Sequence, residues 1–473
     1  MKQRIFGAVV TLLAAPAVGY ASAPTTPLPP LAEQAFAHEM LSELISINTV
    51  HAQGTLKAAE ALKVRFLAAG FAGSDLTLVA IPEHPNQGQL VVRLRAKAPK
   101  AKPVLWLGHL DVVEAKPEDW TVPPFKLTER DGWWYGRGTQ DMKGDDVAVA
   151  SALIRLKREG FIPNRDLIAA FTSDEEAGDG SGVEWLVKNK RDLIDAALVI
   201  NPDAGGGSFK QGVRQAYGIQ TSEKVYVTFQ AEVTNRGGHS SIPEPDNAIY
   251  RLTEGLGRIA KYHFPVETTP TTRGMFAVNA KQETGQVAAD MLAVAKLPTD
   301  LAAAERLSQT PRLASRLRTT CVVTQISGGH AENALPQRAR ASIQCRMIPL
   351  DTEAQVQAKL EEVLADPAIK LTVLSPSAPA PDSAPDPALF KLFGKVVAES
   401  WPGVEIMPHM DLGASDSIYT RAAGIPGYGL SATWTDAEDN RAHGRDERIR
   451  ADRFYEGVEF SYRLMKALGT TKN

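Results

Sequence analysis

Acidic and imidazole side chains follow several apolar runs of this sequence. The run LIAAFTSD leads into Glu175 and Glu176, VLWLGH ends in His109, and LVINPD ends in Asp203. His443 lies in the segment NRAHGRDE near the C-terminus. Adjacent carboxylates repel one another, so we expect a cation where such groups meet at the ends of buried strands.

The loop GRGTQDMKG adds a further carboxylate, Asp141, immediately before a predicted helix. Two imidazoles with three or four carboxylates form a ligand set suited to Zn²⁺, with Co²⁺ or Mn²⁺ as substitutes. There are too many carboxylates for one ion. Two cations about 3.5–4 Å apart, bridged by one carboxylate and one water, would neutralise them. The sequence therefore predicts two zinc ions.

Each of these residues also has an ordinary structural role. His109 could be a hydrogen-bonded strand-end histidine, and Asp141 could be a helix N-cap. Asp203 would by default be a turn residue, the acidic pair a solvated loop and His443 a surface residue. Their joint placement at strand ends favours a shared site.

The surrounding pattern indicates how these residues are held. Strand-length apolar runs alternate with helical patterns: QLVVRLRA, PVLWLGH, a helix over 146–159, DLIAAFTS, a helix over 182–189, and AALVINP. This alternation predicts an α/β domain with a mostly parallel, buried sheet. Ligands of such sheets bind beyond the carboxyl ends of the strands, where the candidate residues lie.

The pattern changes near residue 222. EKVYVTFQAEVT, a helix over 246–262, strands over 319–327 and 338–348, a helix over 352–365 and IKLTVLS follow in order. The order β-α-β-β-α-β predicts a ferredoxin-like α+β domain. It carries an insert at 265–318 to which the sequence assigns no function. We therefore expect an α/β domain of residues 24–221 and 376–473, split by an inserted domain at 222–375.

The N-terminus resembles an export signal. Lys2 and Arg4 precede an apolar run that ends in the small residues GYASA. This order predicts a secretory signal peptide, residues 1–23, and export to a periplasm, without membrane attachment after cleavage. Cleavage after Ala21 is an alternative, because Pro24 disfavours a cut after Ala23. A membrane-anchored helix is the other reading of this segment.

The amino-acid composition limits the binding partners that we expect. The chain has 473 residues, 44% of them hydrophobic, and a formal net charge of −3. We expect neither nucleic acid nor anionic lipid as a partner, because no general positive charge attracts them. Cys321 and Cys345 flank a predicted hairpin loop and could face each other as a disulfide, or remain buried free thiols.

Several motifs together resemble one known family. They are GHLDVV, GRGTQDMKG, SDEEAG, NPD, NRGGHSSIP, GGHAENALP and AHGRDER. They are similar, in this order and over residues 100 to 450, to the dinuclear zinc exopeptidase family of aminoacylase, bacterial glutamate carboxypeptidase, succinyl-diaminopimelate desuccinylase and carnosinase. The resemblance implies a zinc-hydrolase catalytic domain with an inserted lid that also serves dimerisation.

The resemblance also implies residue roles at the metal site. His109 and Asp203 would hold one zinc, Glu176 and His443 the other, and Asp141 would bridge them. Glu175 would be the general base. Asp111 would orient the ring of His109, and the Asp141–Met142 peptide would be cis. Asp145 stands where the family commonly has glycine.

Lid residues would complete the site. By resemblance, His239 would polarise the scissile carbonyl, while Asn333 and Arg346 would bind substrate, the guanidinium holding a carboxylate. The implied function is hydrolysis of an amide bond next to a free carboxylate, in a small peptide or an N-acyl amino acid. The alternatives are a non-catalytic periplasmic binding protein and a specific deacylase of a biosynthetic intermediate. A homodimer through the lid is a further expectation.

Overall fold

The computed structural model describes residues 26–178 and 180–472. The predicted signal peptide lies outside these residues. None of the helices in this part of the chain is long and apolar enough to cross a bilayer.

Two main sheets organise the described chain. Their strands are β1 (Leu76–Ile81), β2 (His84–Leu94), β3 (Val104–His109), β4 (Leu167–Thr172), β5 (Leu198–Asn201), β6 (Tyr217–Glu223), β7 (Val225–Thr234), β8 (Thr320–Gly328), β9 (Arg338–Met347), β10 (Lys370–Ser375), β11 (Ile406–Asp411) and β12 (Gly427–Gly429). Short strands pair at 128–130, 133–135, 207–210, 213–214, 238–239, 334–335, 434–436 and 448–450.

The helices lie between these strands and at both ends of the described chain. They are α1 (Leu31–Ser46), α2 (Leu56–Ala68), α3 (Lys143–Arg158), α4 (Gly182–Asn189), α5 (Arg191–Ile194), α6 (Ala248–Ile259), α7 (Pro270–Asn279), α8 (Gly285–Val294), α9 (Leu301–Leu307), α10 (Pro311–Leu317), α11 (Glu353–Leu364), α12 (Pro387–Ser400), α13 (Ser417–Ala422) and α14 (Ala451–Thr470).

The central sheet has the strand order β1-β2-β4-β3-β5-β12-β6-β11. Strands β4, β3, β5 and β12 run parallel at its centre, and β6 runs parallel to β11. The pairs β1–β2, β2–β4 and β12–β6 are antiparallel. The α/β prediction is confirmed, with a parallel centre that leaves β3, β4 and β5 ending at the same edge.

Buried strand β3 shows why the centre of this sheet is apolar on both faces. Val104 and Trp106 pack into the core formed with helices α1, α3 and α14. Leu105 and Leu107 point the other way, into the core formed with α4. Successive side chains of a strand face opposite sides, so a strand between two helical layers reads as a continuous apolar run.

The second sheet has the order β8-β9-β7-β10, with every neighbouring pair antiparallel. Helices α6 and α11 contribute Leu252 and Leu360 to its buried core, against Phe229 and Ile343 of the strands. The elements follow the predicted order β-α-β-β-α-β. Cys321 and Cys345 are paired across β8 and β9 and form a disulfide, the first of the two alternatives.

The insert at 265–318 folds into helices α7 to α10. Its core residues, including Met275, Phe276 and Leu307, pack together with Ala216 and Met407. Met407 belongs to β11, the edge strand of the central sheet, so the insert covers that edge. The insert is therefore in contact with the central sheet, while the domain boundaries at residues 222 and 375 stay predictions.

Candidate active site

The strand ends bring the predicted ligands together. His109 is the last residue of β3, Asp203 follows β5, and Glu176 follows β4. Asp141 lies in the loop before α3, and His443 lies in the loop before the strand at 448–450. These segments meet at one edge because parallel strands present their carboxyl ends to the same side of a sheet.

The five side chains sort into two groups that share Asp141. His109 Nε2 lies 3.3 Å from Asp141 Oδ1 and 3.7 Å from Asp203 Oδ1. His443 Nε2 lies 3.1 Å from Asp141 Oδ2 and 2.9 Å from Glu176 Oε2. In each group the three ligand atoms lie within 4.8 Å of one another, close enough to hold one metal ion. Asp141 thus presents one oxygen to each group.

The chemistry of this donor set fits divalent cations. His109 Nε2 is buried and makes no hydrogen bond within the described chain, although two carboxylates face it. Burial opposes ionisation of Asp141, but the imidazoles of His109 and His443 outweigh it and lower its pKa. An imidazole nitrogen with two carboxylate oxygens in each group matches the ligands that Zn²⁺ prefers.

The carboxylates of this edge are crowded. Burial, and then the charge of Asp203, raise the pKa of Glu175 well above its ordinary value. Burial also raises the pKa of Asp203, against the lowering effect of the neighbouring His109 imidazole. Hydrogen bonds with Asp141 and Glu176 raise the pKa of His443 to about 10. Divalent cations would relieve this repulsion.

Asp111 is close to the site, but its carboxylate makes a different contact from the expected one. It accepts the backbone amides of Glu175 at 3.2 Å and Glu176 at 3.0 Å. His109 Nδ1 lies 3.1 Å from the backbone oxygen of Asp111 and 3.6 Å from its carboxylate. The backbone of Asp111 is thus the nearer partner of the ring, and its side chain fixes the acidic loop.

The loop that carries Asp141 is held by a residue that the sequence did not single out. The Asp141–Met142 peptide is cis, as the resemblance implied. Buried Glu447 accepts the backbone amides of Gly138, Gln140 and Asp141, and Arg137 Nη1 donates to it at 2.6 Å. The only local signal for Glu447 was its position four residues after His443.

Asp145, which stands where the family commonly has glycine, makes hydrogen bonds of its own. Its carboxylate accepts Ser431 Oγ at 2.8 Å, the Ala432 amide at 3.2 Å and Thr433 Oγ1 at 3.2 Å. Burial raises the pKa of Asp145 to about 7. Asp145 belongs to neither group of candidate ligands.

The predicted lid residues lie apart from the candidate ligands. Ser240 N donates to the backbone oxygen of Asn333 at 3.1 Å, and His239 Nδ1 is 2.7 Å from Ser241 Oγ. Arg346 stacks over the ring of Tyr226, with 4.9 Å between the guanidinium carbon and the ring centroid. None of the three predicted lid residues lines the cavity beside the ligands. Their roles stay predictions.

That cavity has a volume of about 280 Å³. Candidate ligands and Glu175 form one part of its wall, and Gln220, Asp411 and Ser415 form another. Burial opposes ionisation of Asp411, but the neighbouring His409 lowers the pKa of Asp411 to about 2. The sequence did not predict these three residues. Gln220 and Asp411 belong to strands β6 and β11, which reach the site only through the order of strands in the folded sheet.

The strand ends of the central sheet gather two candidate metal-binding triads and a further glutamate. This arrangement is typical of a class of protein, the metal-dependent hydrolases of peptide and amide bonds. Comparison with known sequences identifies the family. The model of Peptidase family M20/M25/M40 matches residues 105–467, and the chain belongs to this family. It is therefore an enzyme, a hydrolase of the metallopeptidase and amidohydrolase type, and the predicted family is confirmed.

Individual relatives agree with this assignment. The chain is 27% identical over 379 residues to the N-fatty-acyl-amino acid synthase/hydrolase PM20D1 of Xenopus tropicalis. The matched region covers 77% of this chain and 72% of that protein. The M20 family metallo-carboxypeptidase Sso-CP2 from Sulfolobus solfataricus has a similar fold, with a TM-score of 0.67 at 18% identity over 92% of this chain and 99% of that one. So does the Bacillus subtilis YXEP protein, a dinuclear metal binding peptidase, with a TM-score of 0.58 at 10% identity over 93% and 99%.

Proposed function

We propose that this protein is an exported hydrolase with two zinc ions that cleaves an amide bond adjacent to a free carboxylate. Its substrates would be small peptides or N-acyl amino acids. The observation that carries this proposal is the pair of ligand groups that share Asp141. Both groups contribute carboxylates to the wall of one cavity, which Glu175 also lines. Zinc ions bound there would polarise the scissile carbonyl and make a water molecule acidic.

The chain's own residues would supply the proton transfers. Glu175 lines the cavity and belongs to neither ligand group, so its carboxylate is free to act on water. In this role it takes a proton from the attacking water and later delivers it to the leaving amine. The Asp111 carboxylate keeps Glu175 in place through the backbone amide of that residue.

Substrate recognition would involve the second domain. Arg346 would hold the substrate carboxylate in a bidentate pair, Asn333 would contact the substrate, and His239 would stabilise the developing oxyanion. Because these residues lie away from the cavity, the proposal requires the lid to approach it. Closure of the lid of the same chain, or the lid of a second copy in a homodimer, would bring them there.

The relatives and the disulfide support the chemistry and the location. The names of PM20D1 and Sso-CP2 describe action on N-fatty-acyl amino acids and carboxypeptidase activity, and both substrate types carry an amide bond beside a carboxylate. Export would explain the basic and apolar N-terminal segment. It would also take the protein to a compartment where the Cys321–Cys345 disulfide is stable.

A hydrolysis panel tests the proposal. Dipeptides and N-acyl amino acids are compared with the same compounds blocked as C-terminal amides, and metal is quantified on the same sample. We expect cleavage of the free acids, loss of activity on chelation and its return with Zn²⁺. Equal cleavage of the blocked compounds would contradict the carboxylate requirement. Tight binding without hydrolysis would indicate the binding protein, and cleavage of a single acyl compound would indicate the specific deacylase.

A further inference from the structure

Two hydrogen-bond acceptors on the cavity wall are not accounted for by the metal ligands or by Glu175. They belong to two residues that line the cavity, Asp411 at the end of β11 and Gln220 in β6. The two strands are neighbours in the central sheet and run parallel. Both acceptors are held in place by partners behind the wall.

Asp411 is anchored and anionic, with acceptor capacity left over. Its Oδ1 lies 3.0 Å from His409 Nε2, and its Oδ2 accepts the amide of Gly205 at 3.2 Å. A carboxylate has about four lone-pair positions, so about two remain for another donor. The side chain is 30% exposed, which leaves it accessible from the cavity.

The insert stabilises this arrangement from behind. Arg316 of α10 is buried, donates to the backbone oxygen of Met410 and lies 3.4 Å from His409 Nε2 through its Nη2. A guanidinium at this position stabilises the negative charge of the nearby Asp411. The helices at 265–318, to which the sequence assigned no function, thus help to hold one wall of the cavity.

The side-chain amide of Gln220 is also held in place. Its NH₂ group is engaged as a hydrogen-bond donor, while its oxygen has no partner within the described chain. Its Nε2 donates to Glu223 Oε2 at 3.2 Å, and Glu223 in turn accepts Ser415 Oγ at 2.9 Å and is ion-paired with Arg421. These contacts set the orientation of the amide group. Oε1 of Gln220 is buried and has no hydrogen-bond partner within the described chain.

We propose that Asp411 and Gln220 form a subsite for an ammonium group, which would be the free amino terminus of a short peptide substrate. An ammonium carries three donors and a positive charge, and this wall offers an anion and an unpaired acceptor. An acyl carbonyl or a second carboxylate would meet only acceptors there. The inference rests on the proposed function. It narrows the proposed substrates, which were small peptides and N-acyl amino acids, to peptides with a free amine.

A matched pair of substrates tests the subsite. Alanyl-leucine and N-acetyl-alanyl-leucine share the scissile bond and differ in the ammonium group. We expect the zinc-loaded enzyme to prefer the free amine by roughly 10- to 100-fold in kcat/KM, the range of a charge-assisted hydrogen bond. Asp411→Asn should reduce this preference to within about threefold of unity, chiefly by raising KM for the free dipeptide. Gln220→Met should reduce it in the same direction.

Asp300→Asn is the matched control. Asp300 caps α9 by accepting the amide of Ala303 at 3.0 Å, and asparagine caps equally well. This variant should keep the full preference for the free amine. Bound zinc is measured in every variant, because Asp411 also contacts the Gly205 turn next to Asp203.

Several outcomes would overturn the subsite. They are a wild-type enzyme without preference for the free amine, an Asp411→Asn variant that keeps the preference, and equal losses on both substrates together with loss of zinc. The last result would make Asp411 a support of the ligand turn. If the wild type cleaves neither compound, calorimetric binding of the two compounds to the zinc-loaded protein decides the subsite by the same preference. The proposed function itself fails only if the whole hydrolysis panel is also left uncleaved.

Discussion

The carboxylate of Glu447 accepts the backbone amide of Asp141, with 3.1 Å between Oε1 and the amide nitrogen. Asp141 is shared by both ligand groups, and Glu447 lies four residues after His443, another candidate ligand. One C-terminal segment therefore supplies a ligand and also fixes the backbone of the bridging residue. Outer contacts of this kind orient ligands and tune metal affinity.

Glu447→Gln should weaken metal binding. The amide NH₂ group of glutamine cannot accept the backbone amides that the glutamate oxygens now accept, so the loop carrying Asp141 loses part of its support. We expect zinc affinity to fall by roughly 10- to 100-fold, measured by competition with a chelator. Glu438→Gln, at an exposed position in the same segment, is the control. Equal zinc affinity in the two variants would refute the role of Glu447.

Glu175→Gln should separate catalysis from metal binding. Glu175 lies outside both ligand groups, so bound zinc should stay at the wild-type level. Turnover should fall by roughly 10²- to 10⁴-fold, because the amide cannot accept a proton from water. Metal analysis and kcat are measured on one preparation. A variant with near wild-type turnover would show that another group is the base.

Lys224→Met should change how stability depends on pH. Burial lowers the pKa of Lys224 to about 7 from its ordinary value of 10.5, and its Nζ donates to the backbone oxygen of Arg318 at 2.7 Å. Between these two values the unfolded chain binds more protons at this site than the folded chain. The free energy of unfolding therefore rises with pH across this window.

Urea unfolding at about pH 7 and about pH 9.5 measures this effect. The variant should lose up to about 3 kcal/mol of the wild-type rise in unfolding free energy between the two conditions. Lys57→Met, at an exposed position of α2, should keep the wild-type rise. The same rise in Lys224→Met and in the wild type would rule out the buried lysine as its source.

Removal of the disulfide should destabilise the part of the chain that contains the second sheet, β8-β9-β7-β10. Cys321 and Cys345 join neighbouring strands across a sequence separation of 24 residues. Replacing both by alanine should lower the free energy of unfolding by about 2–4 kcal/mol, because the unfolded chain gains freedom. Thermal unfolding with and without reductant measures the change. If reductant lowers the thermal stability of the double variant as much as that of the wild type, the reductant does not act through this disulfide.

Local patterns were enough for much of the fold. The predicted helix over 182–189 has the observed bounds, because Ser181 caps it by accepting the amide of Glu184 and an apolar face follows. Strand β3 was predictable as an apolar run of strand length. The five candidate ligands were predictable as a set, because each lies at the end of a predicted strand or next to a predicted element and their residue types suit one pair of metal ions. They are His109, Asp141, Glu176, Asp203 and His443.

The sequence by itself determined the elements, the ligand types and the family, because hydrophobic periodicity, capping and motif spacing act within short stretches of chain. Only the tertiary structure decided that the insert packs on β11, that Glu447 holds the Asp141 loop, and that Asp411 and Gln220 line the cavity. Those contacts depend on the order of strands in the sheet, which joins segments far apart in sequence. No local pattern encodes which distant strands become neighbours, so their shared surfaces appear only in the folded chain.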